Sequence, residues 1–308
     1  IADMRTDGWE LSVGWRDHIG DWGYRLNLNV YDHKSKITKF NNLSGSIDNY
    51  YVGKALNSIY GYRADGYYSI DDFDMEKAKV GTWVLKEGVA SVSGYSVQPG
   101  DVKFKDLDGN GVIDAGGSTL ENPGDREIIG NSTSRYQFGG NLGVSWKGLD
   151  LNVLLQGVGK RDYWLGGAAL FPFGAAGADG VFWPLYYNQT DYWSAVSYDP
   201  QSPDYMVAKN PDAKLFRVYG QDGNAGSNAR VSDKYIQNAA YLRVKNVTLS
   251  YSFPSSLLRK VALDQLRLYV SVENLATFTS LPKGYDPESL SWSYPFYRTW
   301  SVGASITF

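Results

Sequence analysis

Seven segments of the chain alternate between apolar and polar residues. Asn27, for example, lies between Leu26 and Leu28. Successive side chains of a strand point to opposite faces, so a period of two predicts a sheet with one apolar and one polar face. The seven predicted strands are 9–16, 24–31, 138–146, 149–157, 247–253, 266–273 and 299–308.

The connections between these strands alternate in length. The short ones are 17–21, 147–148 and 254–263, and the long ones are about 33–134, 160–238 and 277–295. Outer-membrane β-barrels show this asymmetry, with short periplasmic turns and long extracellular loops. The strand-like stretch 58–68 would break the alternation if it crossed the membrane. We therefore predict that it is an extracellular hairpin within the first long loop.

The strands of a soluble β-sandwich also alternate between apolar and polar residues, but their apolar face is buried. A second criterion is therefore needed to distinguish a barrel from a sandwich. Aromatic residues stand beside the short turns, as expected where amphipathic rings settle among lipid headgroups; they are Trp15, Trp22, Trp146, Phe253 and Phe308. The opposite face, here named the polar face, suits a water-filled lumen and contains Asn27, Asn29, Asn141, Asn152, Gln156, Ser250 and Ser271. The pattern favours an all-β, antiparallel transmembrane barrel, and a secreted carbohydrate-binding β-sandwich stays open as the alternative.

Seven strands are fewer than a bacterial barrel needs, because such barrels have even numbers of strands and begin at eight. An open sheet would leave unpaired backbone groups in lipid, at a cost of several kcal/mol for each group. We therefore expect that an N-terminal portion of the barrel is missing or lies in another chain.

The composition narrows the range of functions. The 308 residues include no Cys and two His, which excludes disulfide scaffolds, thiolate zinc sites, cysteine nucleophiles and His-rich metal sites. A net charge of −3 argues against a nucleic-acid partner. The sequence contains no Ser/His/Asp order, no Gly-rich phosphate loop and no HExxH motif, so we predict that the protein is not an enzyme.

A candidate calcium loop begins at Asp106. Its sequence places oxygen ligands at positions 1, 3, 5 and 9, Gly at position 6 and a backbone carbonyl at position 7, as a hard cation with six to eight oxygen ligands requires. Position 12 is Gly117, and the insertion 116–124 makes Asp125 the candidate for the displaced acidic ligand. A metal-free Asp/Gly turn is the alternative; a bound Ca²⁺ would stiffen the loop. The predicted ligands are Asp106, Asp108, Asn110, Val112, Asp114 and Asp125.

Aromatic residues cluster in the long loop 160–238. Flat rings stack on sugar faces, so the predicted ligand contacts are Trp164, Trp183, Tyr187 and Trp193. Packing of the loop against itself or against a partner is the alternative for each of them. Charged residues on the predicted strands are expected to be paired groups of the barrel wall; they are Arg16, Arg25, Arg267 and Glu273.

Several motifs together resemble the C-terminal third of SusC-type TonB-dependent transporters. They occur in the same order nearly from end to end of the chain, and each motif is weak on its own. The motifs are MRTDGWEL at 4–11, PGDVKFKDLDGNGVID at 99–114, YLRVKNVTLSY at 241–251, LRLYVSVENL at 266–275, GYDPE at 284–288 and a last strand that ends in Phe308.

The resemblance implies a specific architecture and set of partners. The family has a 22-stranded barrel with an N-terminal plug in the outer membrane of Bacteroidota-like bacteria. A SusD-like surface lipoprotein caps the barrel, and TonB–ExbB–ExbD supplies the force for import. Residues 1–308 would form the C-terminal part of the barrel domain, with extracellular long loops and a periplasmic C-terminus. The plug and the TonB box would lie outside this chain.

The function expected from the resemblance is active import of a bulky nutrient across the outer membrane. The family imports oligosaccharides and, in some members, peptides, and we expect an oligosaccharide here. The alternatives are a peptide importer of the same family and the secreted carbohydrate-binding β-sandwich.

Overall fold

The computed structural model describes residues 2–166, 190–219, 225–259, 262–290 and 296–308. Short α-helices span α1 (Met75–Lys79), α2 (Ala225–Asn228) and α3 (Ser255–Leu258), and Ile70–Asp72 forms a 3₁₀ turn. The strands are β1 (Asp3–Ile19), β2 (Trp22–Lys39), β3 (Ser58–Tyr62), β4 (Ala64–Tyr67), β5 (Ser91–Val92), β6 (Val102–Phe104), β7 (Val112–Ile113), β8 (Arg126–Asn131), β9 (Arg135–Trp146), β10 (Leu149–Lys160), β11 (Asp162–Trp164), β12 (Ile236–Asn238), β13 (Tyr241–Ser252), β14 (Gln265–Thr279) and β15 (Thr299–Thr307).

All seven strands expected from the alternation form one sheet, in the order β1-β2-β9-β10-β13-β14-β15. The five strand pairs β2–β9, β9–β10, β10–β13, β13–β14 and β14–β15 are antiparallel. Neighbours in the sheet are thus strands that follow one another along the chain, when only these seven strands are considered. The register between β10 and β13 shifts at Leu154/Leu155, where a bulge inserts Lys245 into β13. The predicted up-and-down order is therefore confirmed.

The cross-strand register separates the two faces of the sheet. Residues directly opposite each other on neighbouring strands share a face. One row across the sheet is Arg25, Gly143, Asn152, Thr248, Ser271 and Ser301, which belongs to the polar face. The adjacent row is Tyr24, Val144, Leu151, Leu249, Val270 and Val302, which belongs to the apolar face.

The apolar face is exposed rather than covered. Leu249 is 50% exposed and Val302 is 81% exposed. Among the described residues, no second sheet of comparable size packs on this face, because the other sheets have two strands each. The β-sandwich alternative is therefore wrong, since a sandwich would bury this row between two sheets.

The chain divides into two compact units. The sheet unit contains Arg5–Ser35, Thr133–Asp162 and Asn238–Phe308, and the loop unit contains Ile1–Met4, Lys36–Ser132 and Tyr163–Gln237. Two clusters of buried hydrophobic residues lie in the loop unit, one around Phe73 and Tyr235 and the other around Trp193. The long connections therefore fold around hydrophobic cores of their own.

The predicted hairpin at 58–68 is wrong, although the stretch does form strands. β3 pairs with β8, and β4 pairs with β6. Arg63 alone separates β3 from β4, and one residue is too short for the two-residue turn of a tight hairpin. Each strand therefore pairs with a later part of the loop unit. In the part of the chain that the structure describes, no helix is long and apolar enough to cross a membrane.

Candidate functional site

The loop that begins at Asp106 is folded by its own side chains. Asp106 accepts hydrogen bonds from the backbone N–H groups of Gly109 (2.7 Å) and Gly111 (2.8 Å). Both glycines have positive φ angles, 75° and 81°, which the turn requires and which glycine adopts without steric cost. These backbone hydrogen bonds, with that from Gly111 the largest cause, lower the pKa of Asp106.

Asp125 joins this loop from outside its 106–114 core. Its side chain is fully buried, and its two carboxylate oxygens accept hydrogen bonds from the backbone N–H groups of Leu107 (2.7 Å) and Asp114 (2.8 Å). One carboxylate oxygen from each of Asp106, Asp108 and Asp125 lies within 4.8 Å of the other two. Asp125, the candidate for the displaced position 12, thus lies beside Asp106 and Asp108.

The other three predicted ligands are Asn110, Val112 and Asp114, and each makes its own contacts in the loop. Asn110 accepts a hydrogen bond from Val112 N at 2.7 Å and donates one to Asp108 at 3.1 Å. Val112 lies in β7, which pairs in parallel with β5. Asp114 accepts a hydrogen bond from Gly116 N at 2.6 Å and is outside the three-carboxylate group. The donor set is composed of oxygen atoms, which suits Ca²⁺ more than a thiophilic metal.

Trp193 does not fit its predicted role as a ligand contact. It is 2% exposed and packs in the cluster that contains Ile70, Tyr205 and Met206. A Cβ on Gly100 would lie 2.4 Å from Trp193 Cε3, so the indole lies directly over the Gly100 backbone. The ring faces are therefore occupied by protein, and we assign Trp193 to the core of the loop unit.

Trp164 is half-buried and packs against the other cluster, with its ring centroid 6.5 Å from that of Tyr235. Trp164 is not fully buried, so the ligand contact stays a prediction for it. The predicted contacts Trp183 and Tyr187 lie outside the described residues.

Sequence reasoning missed a buried polar network in the loop unit. Asp101 is fully buried and accepts hydrogen bonds from Tyr219 Oη, Asn228 Nδ2 (2.9 Å) and Gln98 N (2.7 Å). Burial raises the pKa of Asp101 to about 6, although these hydrogen bonds oppose the shift. Gln98 is three residues away, but Tyr219 and Asn228 are more than a hundred positions later in the sequence, so no local motif could have revealed the network.

A second missed cluster lies in the sheet unit, on β13 and on the segment that follows β14. Arg243 is 1% exposed and forms ion pairs with Asp286 (2.6 Å) and Glu288 (3.3 Å). Lys245 also pairs with Glu288, at 2.8 Å. Part of the predicted loop 277–295 is therefore fixed against the sheet by four charges, and its GYDPE motif supplies the two acids.

The predicted pairing of wall charges is confirmed for one of the four residues, and a second residue is hydrogen-bonded to a neutral partner. Arg25 pairs with Asp150 at 3.0 Å, and Arg267 donates a hydrogen bond to Ser250 Oγ at 2.9 Å. Within the described ranges, the side chains of Arg16 and Glu273 form no ion pair or hydrogen bond. For Arg16 and Glu273 the expected pairing therefore stays a prediction.

The known proteins that are similar to this chain in sequence are TonB-dependent receptors. The TonB-dependent receptor P3 of Formosa agariphila is 28% identical over 339 residues, a match that covers 100% of this chain and 29% of that receptor. The TonB-dependent receptor SusC of Bacteroides thetaiotaomicron is 23% identical over 327 residues and is covered to 27%. The chain therefore spans less than a third of the length of these relatives. No family model matches the sequence.

Solved structures show the same fold. The RagAB peptide transporter aligns with a TM-score of 0.63 and 19% identity, over 100% of this chain and 30% of that one. The RagAB peptide importer in its closed-closed state aligns with a TM-score of 0.60 over 99% of this chain. The resemblance seen in the sequence is confirmed: the homologues of this chain are TonB-dependent receptors, SusC among them, and its fold is that found in TonB-dependent barrel transporters.

Proposed function

We propose that this chain forms the C-terminal seven strands of a 22-stranded, plugged outer-membrane barrel that imports a bulky nutrient by a TonB-dependent mechanism. The observation that carries this proposal is the exposed apolar face of the seven-stranded sheet. Monomeric soluble proteins rarely expose contiguous apolar patches larger than a few hundred Å². Lipid is the partner that such a face fits, and the polar face would line a watery lumen.

The strand lengths are compatible with this arrangement. A tilted transmembrane strand needs about 9–11 residues. β15 has 9 residues, β9, β10 and β13 have 12 each, and β1 and β2 have 17 and 18. Each strand is long enough to cross, and the longer ones would extend beyond the bilayer into the long loops. These loops would be extracellular, and the C-terminus would be periplasmic.

The nutrient that we propose is an oligosaccharide. Trp164, which is half-buried, and the predicted contacts Trp183 and Tyr187 are aromatic residues, and aromatic side chains are of the kind that stack on sugars. The fold similarity to the RagAB peptide transporter supports a second candidate, a peptide importer of the same family.

The proposed partners follow from the relatives. A SusD-like lipoprotein would cap the extracellular side, and TonB–ExbB–ExbD would act through a part of the full-length protein outside this chain. We also propose that the carboxylates of Asp106, Asp108 and Asp125 bind Ca²⁺ in an extracellular loop. The role of the ion would be structural, because it would neutralise three acidic groups held within 4.8 Å of one another.

The decisive experiment uses the full-length gene product in its native host. We expect it in the outer membrane together with a lipoprotein, and we expect its deletion to abolish growth on one class of oligosaccharide as sole carbon source. Growth on peptides should then be unchanged. Loss of growth on peptides alone would favour the peptide importer, and a soluble, partner-free 34.2 kDa product would contradict the membrane proposal.

A further inference from the structure

The connection between β14 and β15 belongs to the sheet unit, whereas the other two long connections make up most of the loop unit. The part of it that spans residues 281–290 is here named the strap. Its first and last residues, Leu281 and Leu290, are 7% and 8% exposed. Between them, Ser289 N donates to Asp286 O at 3.0 Å and closes a turn. The strap is therefore a folded segment with two buried apolar ends.

The strap contacts two strands besides the one that it follows. Arg161, directly after β10, donates a hydrogen bond to Pro287 O at 3.5 Å. On β13, Arg243 forms ion pairs with Asp286 at 2.6 Å and with Glu288 at 3.3 Å. Since β10, β13 and β14 are neighbours in the sheet, the strap extends from β14 across β13 to the end of β10.

The bulge in β13 decides which face of the sheet the strap covers. Odd-numbered residues of this strand, such as Leu249, lie on the apolar face. The alternation reverses at the bulged residue Lys245, so Arg243 stands opposite Gln156 of the polar face. A regular strand would direct Arg243 to the apolar face, because a shift of one residue exchanges the two faces. Bulges re-aim side chains in this way beside functional sites, and here the strap lies over the polar face.

The strap buries the part of the polar face that lies beneath it. The side chain of Arg243 is 1% exposed, whereas that of Arg25, on the same face but on β2, is 36% exposed. Tyr241, two positions before Arg243 on the strand, is 8% exposed. A buried guanidinium is stable only when it is paired, and loss of one partner leaves an uncompensated charge. The two acids of the strap are therefore required where they are, which makes the strap a fixed element.

We propose that the strap is a fixed constriction of the barrel lumen at the end where the long connections leave the sheet, and that Arg243 is the positioning residue that holds it there. This inference rests on the proposed function, in which the polar face lines the lumen. Lys245 supports Arg243, because it pairs with Glu288 at 2.8 Å. A nutrient that enters the barrel along this side of the wall would pass the strap, so the strap would limit the width of the solute.

Thiol labelling of the full-length protein in detergent tests the constriction. Tyr241→Cys places a thiol beneath the strap, and this chain has no cysteine of its own. The probes are a small maleimide and a maleimide that carries a long polyethylene glycol chain. The release variant, Asp286→Asn with Glu288→Gln, removes both counter-ions of Arg243. We expect it to react about tenfold faster, which corresponds to about 1.4 kcal/mol in the free energy of opening, and we expect the bulky probe to react only in this variant.

The controls separate release of the strap from general loosening of the barrel. A thiol at Asn152→Cys, on the polar face away from the strap, should react at the same rate with and without the release substitutions. Asp150→Asn removes the partner of Arg25 and should leave labelling at position 241 unchanged. Arg243→Lys keeps the charge but loses the planar fork of donors, so its rate should lie between the other two. Heat-modifiable mobility shows that each barrel is folded.

Two outcomes would overturn the inference. The first is an equal labelling rate at position 241 in folded barrels with and without the release substitutions. The second is faster labelling at position 152 as well, because the whole wall would then have loosened. If the release variant does not fold, Arg243→Lys decides by the same comparison. Equal rates in a membrane-inserted barrel would overturn this inference alone, whereas a soluble product would overturn the proposed function as well.

Discussion

Trp193 lies over the backbone of Gly100, so close that a Cβ at position 100 would be 2.4 Å from the indole Cε3. The φ angle of Gly100 is 91°, a conformation that residues with side chains rarely adopt. Two independent features thus require glycine there. The contact also explains why Trp193 belongs to the core of the loop unit rather than to a ligand surface.

The first prediction concerns Gly100→Ala. Backbone strain at positive φ costs about 1–2 kcal/mol, and overpacking against the indole adds about 1–3 kcal/mol. The matched control is Gly88→Ala, because Gly88 has φ 81° and open space where the Cβ would lie. Thermal unfolding of the full-length protein, followed by tryptophan fluorescence, should show the larger loss for Gly100→Ala. Equal losses would mean that the indole moves away without cost.

The sheet could be predicted from the sequence, whereas the loop unit could not. Each strand of the sheet has its own alternation of apolar and polar residues. The face to which Leu249 or Asn152 belongs can therefore be predicted without knowing which strand pairs with it. The strand ends are different, because a bulge at Lys245 depends on the neighbouring strand. In the loop unit, β3 and β4 are adjacent in sequence but pair with strands that lie much later in the chain.

The candidate site shows the same division. The ligands of a calcium loop follow a fixed local spacing, and this spacing predicted Asp125 as the displaced acidic residue of the loop that begins at Asp106. The burial of Trp193 depends on a glycine 93 positions earlier, and no pattern around Trp193 reports it. Interactions set by local geometry are visible in sequence, whereas those set by long-range packing require the structure.

The second prediction concerns calcium. Asp106→Asn combined with Asp108→Asn should abolish the heat of Ca²⁺ binding in a calorimetric titration of the chelator-treated full-length protein, because two of the three clustered carboxylates lose their charge. Calcium at about one hundred times its dissociation constant should raise the free energy of unfolding of the wild type by about 2.7 kcal/mol. It should not change the free energy of unfolding of the variant. Asp65→Asn, at an exposed position of the same unit, is the control. A wild type that produces no heat would refute the site.

The third prediction concerns pH and Asp101. Burial raises the pKa of Asp101 to about 6 in the folded protein, from 3.8 as its ordinary value. Between these values the unfolded chain loses its proton while the folded protein keeps it, so stability should fall as pH rises from about 4 to 6. The loss should be on the order of 3 kcal/mol and should level off above pH 6.

Asp101→Asn isolates this effect. The variant should be less stable overall, because an amide presents N–H groups to donors such as Tyr219 Oη and Gln98 N. The free energy of unfolding of Asp101→Asn should nevertheless lack the decrease between pH 4 and 6 that Asp101 causes. The control Asp65→Asn should still show this decrease. Urea unfolding at several pH values measures both quantities. An unchanged slope in Asp101→Asn would assign the pH dependence to other groups.

The fourth prediction compares neighbouring residues on opposite faces of β13. Leu249 lies in the exposed apolar row and Thr248 in the polar row, so the same substitution tests both faces at one depth. Leu249→Lys should destabilise the membrane-inserted barrel by about 2–4 kcal/mol, because it places a charge on the lipid face. Thr248→Lys should cost much less, since water in the lumen can solvate the ammonium.

Folding equilibria of the full-length variants in phosphatidylcholine vesicles, followed by heat-modifiable electrophoretic mobility, provide the measurement. The difference between the two variants is the informative quantity, because both add the same side chain to the same strand. If Thr248→Lys cost as much as Leu249→Lys, the polar face would not be in contact with water. If neither variant had an effect, the apolar face would not be in contact with lipid.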